Sequence, residues 1–448
     1  MEPAKKPTLL TRRVQLLGLL SISSGMPLGW VFNSLQFFLV DLGFKRSTIG
    51  LLSGVSIPWT FKFLWAPLVD RYALAWPGRR RSWIILGQLA LAAAFGGLAA
   101  FAWRTLAAKQ AGDPLDGVPL LIGLIAVGIA FLSATQDIAI DAYAVETLHK
   151  DEQGPVSGLR IMYYRLGMLV AGALAVSASD WLGWPVVFLL LGVLFAAFVG
   201  VTLAAPEPDV PAAPPRSLGS AVVEPFRTFF SRSDAIPIAL FLIFYKFGDN
   251  MGGTMVNPFL KDLCFTNAEA GAAVKSIGFI STIVGAGVGA ALMNRMGLGR
   301  ALWIFGALQA GANVIYSVAA TTRGLPLAAA QCGGLPPLDL ATRAWTYVAI
   351  ASEYGAQGMA SAAQGALLLR VCDKRYSATQ FALLSSLFGL GRWAAGLPSG
   401  YLVEQVGYPV FFALCATVMA APGFLFLARI APLRQREVLT ADANPPAA

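Results

Sequence analysis

The chain has 448 residues, of which 56% are hydrophobic and only 13% charged, and its mean hydropathy is +0.65. So few charges cannot coat a soluble globule of this length, so composition excludes a soluble domain and predicts an integral membrane protein. The formal charge of +9 is scattered through short segments between apolar runs rather than gathered on one solvated face, which argues against nucleic-acid binding.

At the N-terminus, Lys5, Lys6, Arg12 and Arg13 precede an apolar stretch too long for the core of a cleaved signal, which predicts an uncleaved first span. Apolar stretches of roughly 18 to 25 residues, the length a helix needs to cross a bilayer, occupy 14–40, 47–69, 82–106, 118–145, 158–180 and 185–204, then 235–260, 270–293, 301–319, 343–369, 378–400 and 409–428. The pattern predicts an all-α membrane protein of about twelve transmembrane helices. Between the sixth and seventh spans Pro206, Pro208, Pro211, Pro214 and Pro215 forbid helix and ladder alike. The expected division is a six-helix bundle at 1–204, a cytoplasmic linker at 205–234 and a second bundle with a short tail at 235–448. Lys and Arg beside the spans number 21 on the N-terminal side and 7 on the other, which predicts both termini in the cytoplasm. Cys264, Cys332, Cys372 and Cys415 are isolated and the single histidine is His149, so neither a metal site, another cofactor nor a disulfide framework is expected.

The two halves repeat. At an offset of 224, Leu166-Gly167, Ala171-Gly172 and Gly183-x-Pro185-Val186-x-Phe188 match Leu390-Gly391, Ala395-Gly396 and Gly407-x-Pro409-Val410-x-Phe412. At an offset of 221, Asp41-Leu42-x-Phe44 matches Asp262-Leu263-x-Phe265, Gln136 matches Gln357 and Ala139 matches Ala360. Apolar copies running in the same sense predict a transporter of two parallel six-helix repeats around a central cavity.

The loop after the second span reads Asp70-Arg71 and then Gly78-Arg79-Arg80-Arg81; its counterpart reads Asn294-Arg295-x-Gly297-x-Gly299-Arg300. Acidic or amide residues and arginines around glycine resemble the gate motif of the major facilitator superfamily. There a tight turn lets arginines pair with acidic residues and helix ends. Asp70, Arg71, Arg79 and Arg295 are the candidate gating residues, and a purely topogenic role for the arginines is the alternative.

Ionisable side chains inside the spans are costly in hydrocarbon and need a partner or a water-filled cavity. Five are basic, Lys62, Arg165, Lys246, Lys275 and Arg392, and four acidic, Asp137, Asp141, Asp249 and Glu353. At 1.5 Å per residue, Lys62, Asp137 and Arg165 each lie roughly 10–12 Å from the cytoplasmic ends of their helices and could meet. Asp137 and Asp141, four apart, share one helix face. Asp249 and Glu353 lie about 14–16 Å from the outer ends, with Lys246 one turn from Asp249. Structural ion pairs are the alternative for all of these, and snorkelling for Lys62, Lys275 and Arg392. Asp137, Asp249 and Glu353 are the candidate proton carriers. Gly25-Met26-Pro27 with Gly29, and Gly248 with Gly252-Gly253 before Pro258, suggest broken helices beside a transport path; close helix packing through small residues is the alternative. Trp30, Phe32, Tyr163, Tyr164, Tyr245 and Tyr354 near these breaks are candidates to stack on sugar rings.

The strings "FKFLWAPLVDRY" at 61–72, "GRRRSW" at 78–83, "SATQDIAIDAY" at 133–143, "YRLGMLVAGALA" at 164–175, "YKFGD" at 245–249, "TIVGA" at 282–286 and "SATQFALLS" at 377–385 closely resemble the AmpG-type muropeptide permeases. The resemblance runs from about residue 17 to 428. It implies the major facilitator fold, the bacterial inner membrane and proton-driven import of N-acetylglucosaminyl-anhydro-N-acetylmuramyl peptides, with consequences for cell-wall recycling and β-lactamase induction. Matched position by position, the family's Ala-x-Gln-Asp segment falls on Ala134, Gln136 and Asp137, and its Tyr-Arg on Tyr164-Arg165. Its Lys-x-x-Asp falls on Lys246 and Asp249, and its helix-ten Glu on Glu353. The outer loop at 320–342 with "CGGLPP", the first span "GMPLGWVFN" and the short tail after Arg436 depart from some relatives.

The expected partners are an anionic glycopeptide, protons and the lipid bilayer, with a monomer as the working unit. Lys246, with Lys62 or Arg165, would draw the substrate's carboxylates; Gln136 and Gln357 would meet its sugars or amides; Tyr164 and Trp30 would stack on its rings. Rival readings are a related carrier of siderophores or acetyl-CoA, and a receptor without flux. A membrane-embedded enzyme is disfavoured, since the loops offer only His149, Asp151 and Glu152 side by side.

Overall fold

In the computed structural model the residues described are 11–44, 55–72, 76–115, 117–149, 152–208, 217–265, 269, 273–322 and 340–430. Part of the proline-rich linker, most of the "CGGLPP" loop, the side chain of Lys275 and the polar tail lie outside them. The described chain is built of helices, as long apolar runs require when each backbone N–H and C=O must be satisfied within its own segment.

Among the described residues, eight helical stretches are long and apolar enough to cross a membrane: Arg12–Asp41, Arg79–Ala111, Val118–Thr147, Gln153–Leu182, Trp184–Ala204, Ser276–Met296, Leu298–Thr321 and Ser399–Leu427. A ninth is the pair Gly219–Phe230 and Ala235–Leu260, bent by 93°. The difference from the twelve expected lies in polar or interrupted stretches. The second span is described only as the short pieces Ile57–Phe61, Lys62–Leu64 and Ala66–Arg71. Leu340–Val371 is long but carries Thr346, Ser352, Glu353, Gln357 and Gln364.

The chain divides into two compact units, Met1–Val156 with Arg160–Phe226 and Leu369–Ser386, and Ser157–Leu159 with Arg227–Leu368 and Leu387–Ala448. The expected cuts at 204 and 235 thus differ in one respect that matters below, because residues 369–386 pack with the first unit. The first unit's core is aromatic: Trp30 meets Phe95 edge-on at 5.3 Å and Phe188 at 6.3 Å, and Phe38 meets Phe188 at 5.3 Å. In the second unit Phe412 stacks on Tyr316 at 5.0 Å and meets Phe259 at 5.3 Å. Such pairs add about 0.5–1.5 kcal/mol each beyond the area they bury.

The repeat seen in the sequence reappears as matched contacts within each unit. Gly183 (φ 76°, ψ 154°) and Gly407 (φ 73°, ψ 162°) make the same left-handed corner before the sixth and twelfth spans. Trp184 Nε1 donates to Asp41 Oδ2 at 2.7 Å, and Tyr408 Oη donates to Asp262 Oδ2 at 2.7 Å. A Cβ on Gly167 would lie 2.1 Å from the Ile22 carbonyl oxygen, and one on Gly391 would lie 2.3 Å from that of Ile243. Both approaches are backbone against backbone and leave no slack. Gly167→Ala is therefore expected to lower stability by about 1–3 kcal/mol through overpacking, read as a drop in the unfolding temperature in detergent, whereas Gly97→Ala, where a Cβ meets nothing within 4 Å, gives no drop.

Two expectations are corrected here. The first helix does not break at Gly25-Met26-Pro27. It continues to Asp41 through a π-helical turn at Trp30–Ser34, and Gly25 and Gly29 serve close packing, with virtual Cβ atoms 2.0 Å from the Tyr164 oxygen and 2.3 Å from the Met168 oxygen. Ser34 Oγ donates to the Ala171 oxygen at 2.6 Å, inside a second π turn at Val170–Leu174. In the seventh span the helix does part, between Phe244 and Phe247, just before Gly248, which itself packs against the Cys415 oxygen. The cysteines are the second correction: Cys372 and Cys415 are free, but Cys264 is disulfide-bonded, a pairing that isolated positions in a long chain do not reveal.

Candidate functional site

The loop after the second span closes into a buried polar network. Asp70 ends the helix Ala66–Arg71 and Arg80 opens Arg79–Ala111, with Gly78 (φ 152°) making the turn between them. Both side chains are fully buried, and Arg80 Nη2 lies 2.8 Å from Asp70 Oδ1 and 2.5 Å from Glu146 Oε1. Arg80 also donates to the Val69 oxygen at 3.0 Å and to Ser377 Oγ at 2.9 Å, and Ser377 Oγ donates to Glu146 at 2.6 Å. Asp70 then caps the helix Ser377–Gly396: it accepts from Ala378 N at 3.2 Å, from Thr379 N at 2.8 Å and from Thr379 Oγ1 at 2.7 Å. A carboxylate at a helix N-terminus satisfies amides that have no partner in their own helix and meets the positive end of the helix dipole.

Of the four gating candidates, Asp70 sits at the centre of this network and Arg79 at its edge, 3.8 Å from Asp70 Oδ1 and donating to the Asp70 backbone oxygen at 3.1 Å. Arg71 and Arg295 stand apart. Arg71 lies over the Tyr72 ring at 5.6 Å. Arg295 is exposed at the end of Phe279–Met296, and among the described residues it makes no ion pair. The residues the sequence left unranked are Arg80, Glu146, Ser377 and Thr379. Three arginines in a row do not say which one turns inward.

Deeper in the first unit the charges pair differently from the expected meeting of Lys62, Asp137 and Arg165. Lys62 Nζ donates to Asp141 Oδ2 at 3.0 Å and Arg160 donates to Asp141 Oδ1 at 2.7 Å, so Asp141 is held between two cations. Lys62 also lies over the Phe381 ring at 6.0 Å. Asp137, 7% exposed, accepts from the Ser24 hydroxyl of the first helix. Gln136, its neighbour, donates to Ser23 Oγ at 2.9 Å and is 1% exposed. It fastens the fourth helix to the first rather than reaching open space. Arg165 and Tyr164 are half-buried on the fifth helix, with Arg165 Nη1 3.8 Å from Met168 Sδ. Trp30 is corrected as a substrate contact: it is fully buried in the aromatic core, because its position three residues after Pro27 faces Phe95 and Phe188.

The second unit holds the other cluster. Lys246, at the parting of the seventh span, donates to Ser361 Oγ at 2.5 Å and to the Gln357 oxygen at 3.3 Å, and lies over the Phe388 ring at 5.9 Å. Asp249 follows in the first turn of Phe247–Asp262 and is 5% exposed. The Lys246 cation and the Gln309 and Gln357 amides interact with it. Glu353, 3% exposed, accepts from Tyr316 Oη at 2.6 Å. Gly253 makes room for that carboxyl, since a Cβ there would lie 3.3 Å from Glu353 Oε1. Tyr316, Gln309 and Asn313 were not among the candidates. They lie on one face of Leu298–Thr322 at spacings of four and three, a polar stripe in an apolar helix that is visible once it is looked for.

Buried cations, buried carboxyls and amides on helices of this length are the furnishings of a polar path through a membrane protein. A profile of the Major Facilitator Superfamily matches residues 17–379. The chain belongs to that superfamily and, within it, to the AmpG-type permeases. This AmpG-type permease is 37% identical over 418 residues to the anhydromuropeptide permease of Escherichia coli K12, covering 93% of its own length and 79% of that protein. It is 29% identical to the putative transporter AmpG 4 of Rickettsia conorii, over 91% and 94% of the two chains. Among solved structures it resembles a bacterial homologue of the iron transporter ferroportin in an outward-facing state, with a TM-score of 0.65 at 17% identity over 95% and 100% of the chains. It also resembles a proton:xylose symporter, with a TM-score of 0.67 at 12% identity over 94% and 96%. Those two likenesses bear on the fold. The permease is a multi-pass membrane transporter and not an enzyme.

Proposed function

We propose that this permease imports anhydromuropeptides from periplasm to cytoplasm in symport with protons. The observation that carries the reading is the 37% identity, over 93% of the chain, to a protein named for that cargo. The chemistry of the buried groups agrees with it. An anhydromuropeptide presents peptide carboxylates, and Lys246, Lys62 and Arg165 are cations with which to draw them. Gln357 offers an amide to sugar or peptide groups, and Tyr164 a ring face. Asp249 has the amides of Gln309 and Gln357 and the Lys246 cation as its polar surroundings, and is one candidate to take up and release a proton. Glu353 and Asp137, each held by a single hydroxyl, are the other carriers.

In this reading both termini are cytoplasmic, as the 21 to 7 bias of basic residues favours. Two six-helix halves move against each other, and the Asp70–Arg80–Glu146 network is the cytoplasmic latch, released once in each cycle. The test is uptake of labelled anhydromuropeptide into proteoliposomes with and without an inward proton gradient. Accumulation that requires the gradient and disappears with a protonophore is the expected result. Equal accumulation without the gradient would reject coupling, and absence of uptake with a gradient in place would reject the cargo.

A further inference from the structure

An apolar groove of about 410 Å³ runs beside the break in the last span, a size within the roughly 300–1,000 Å³ of ligand-holding sites. Its origin is local. The helix Ser399–Ala416 ends at Thr417 (φ −113°, ψ −81°) and resumes as Ala421–Leu427. The small residues Ala416, Ala420, Ala421 and Ala428 leave the space unfilled, and Trp303 and Phe424 border it, stacked at 5.5 Å. Leu425 on its rim is 59% exposed. In a membrane transporter such a face meets lipid.

The groove has a charged end. Trp303 stands near the start of the ninth helix and Phe424 near the end of the twelfth, so their stacking brings those two ends together. Arg300 lies one turn before Trp303 on the same helix face, and Arg429 directly follows Ala428. Both arginines are exposed, and among the described residues neither makes an ion pair. Two exposed cations, one a helical turn from the lining residue Trp303 and the other next to the lining residue Ala428, complement a molecule with an anionic head and a hydrocarbon tail.

We propose that this groove is a binding site for an anionic phospholipid, with one acyl chain lying against Trp303, Ala421 and Phe424 and the phosphate held by Arg300 and Arg429. The inference needs only that the protein spans a bilayer, and stands apart from the choice of cargo. It is tested by native mass spectrometry of the detergent-purified permease titrated with phosphatidylglycerol or phosphatidylcholine of the same chain length. Phosphatidylglycerol is expected to bind more tightly. The double variant Arg300→Gln/Arg429→Gln should lose roughly thirtyfold in affinity for it, about tolerable as the sum of two membrane-surface basic contacts, and become indifferent to head group. Ala421→Trp, which fills the groove from its exposed side, should weaken both lipids. Equal binding of the two lipids by the native protein would overturn the proposal, as would full phosphatidylglycerol binding by Ala421→Trp, which would mean that surface charge alone holds it. Should Ala421→Trp fail to fold, Ala428→Leu fills the other end and is read in the same way.

Discussion

The Arg80→Ala variant is expected to lose roughly 3–5 kcal/mol of stability, the largest effect of any single substitution outside the transport path. The cause is not the loss of one favourable pair but what remains behind. Asp70 and Glu146 are buried carboxylates, and Arg80 is the cation within 2.8 Å of both. Without it two buried carboxylates lose the cation they share. Arg79 supplies the contrast. Its guanidinium is half-buried and 3.8 Å from Asp70, so Arg79→Ala should cost about 0–1 kcal/mol, as expected of a partly solvated pair. Thermal unfolding of the two variants in detergent checks both numbers. A cycle adding Asp70→Asn and Glu146→Gln to Arg80→Met should recover much of the loss, because removing all the charges together leaves none uncompensated. Equal melting of Arg80→Ala and the native protein would show that the network does not hold the helix start at Ser377.

Glu353→Gln is expected to abolish gradient-driven accumulation while leaving exchange of substrate across the membrane. A proton moving down a gradient of one pH unit releases about 1.4 kcal/mol, enough for roughly tenfold accumulation per proton carried. Glutamine keeps the shape and can still accept from Tyr316 Oη through its oxygen, so packing around Gly253 should survive. What it cannot do is bind and release a proton. The accumulation ratio in proteoliposomes should therefore fall from about ten or more to about one, with counterflow retained. A variant that still accumulates moves the coupling role to Asp249 or Asp137, which Asp249→Asn and Asp137→Asn then separate by the same ratio.

Much of the candidate site was legible as buried charge, because burying a charge in hydrocarbon is expensive wherever it occurs. Asp137, Asp249, Glu353, Lys62 and Lys246 could be singled out from their spans alone, and each is buried in the structure. Their partners could not. Rotation by about 100° per residue decides which neighbour a helical side chain meets. That is why Lys62 and Arg160 both reached Asp141 rather than Asp137, and why Arg80 rather than its two neighbours turned inward. Trp30 misled for a related reason, since an aromatic beside Gly-Pro suits a core as well as a cavity.

That this is a helical membrane protein with an internal repeat and ionisable groups in its spans follows from chain order alone, because composition, span length and repeat offsets are properties of that order. Only the tertiary structure decided that the repeat is expressed in paired glycine contacts and matched Asp–aromatic hydrogen bonds, that Asp70 caps a helix some three hundred residues away, and which carboxylates keep a cation. Those outcomes depend on how closely and at what rotation helices pack, and backbone-to-backbone approach at Gly25, Gly167 and Gly391 sets both.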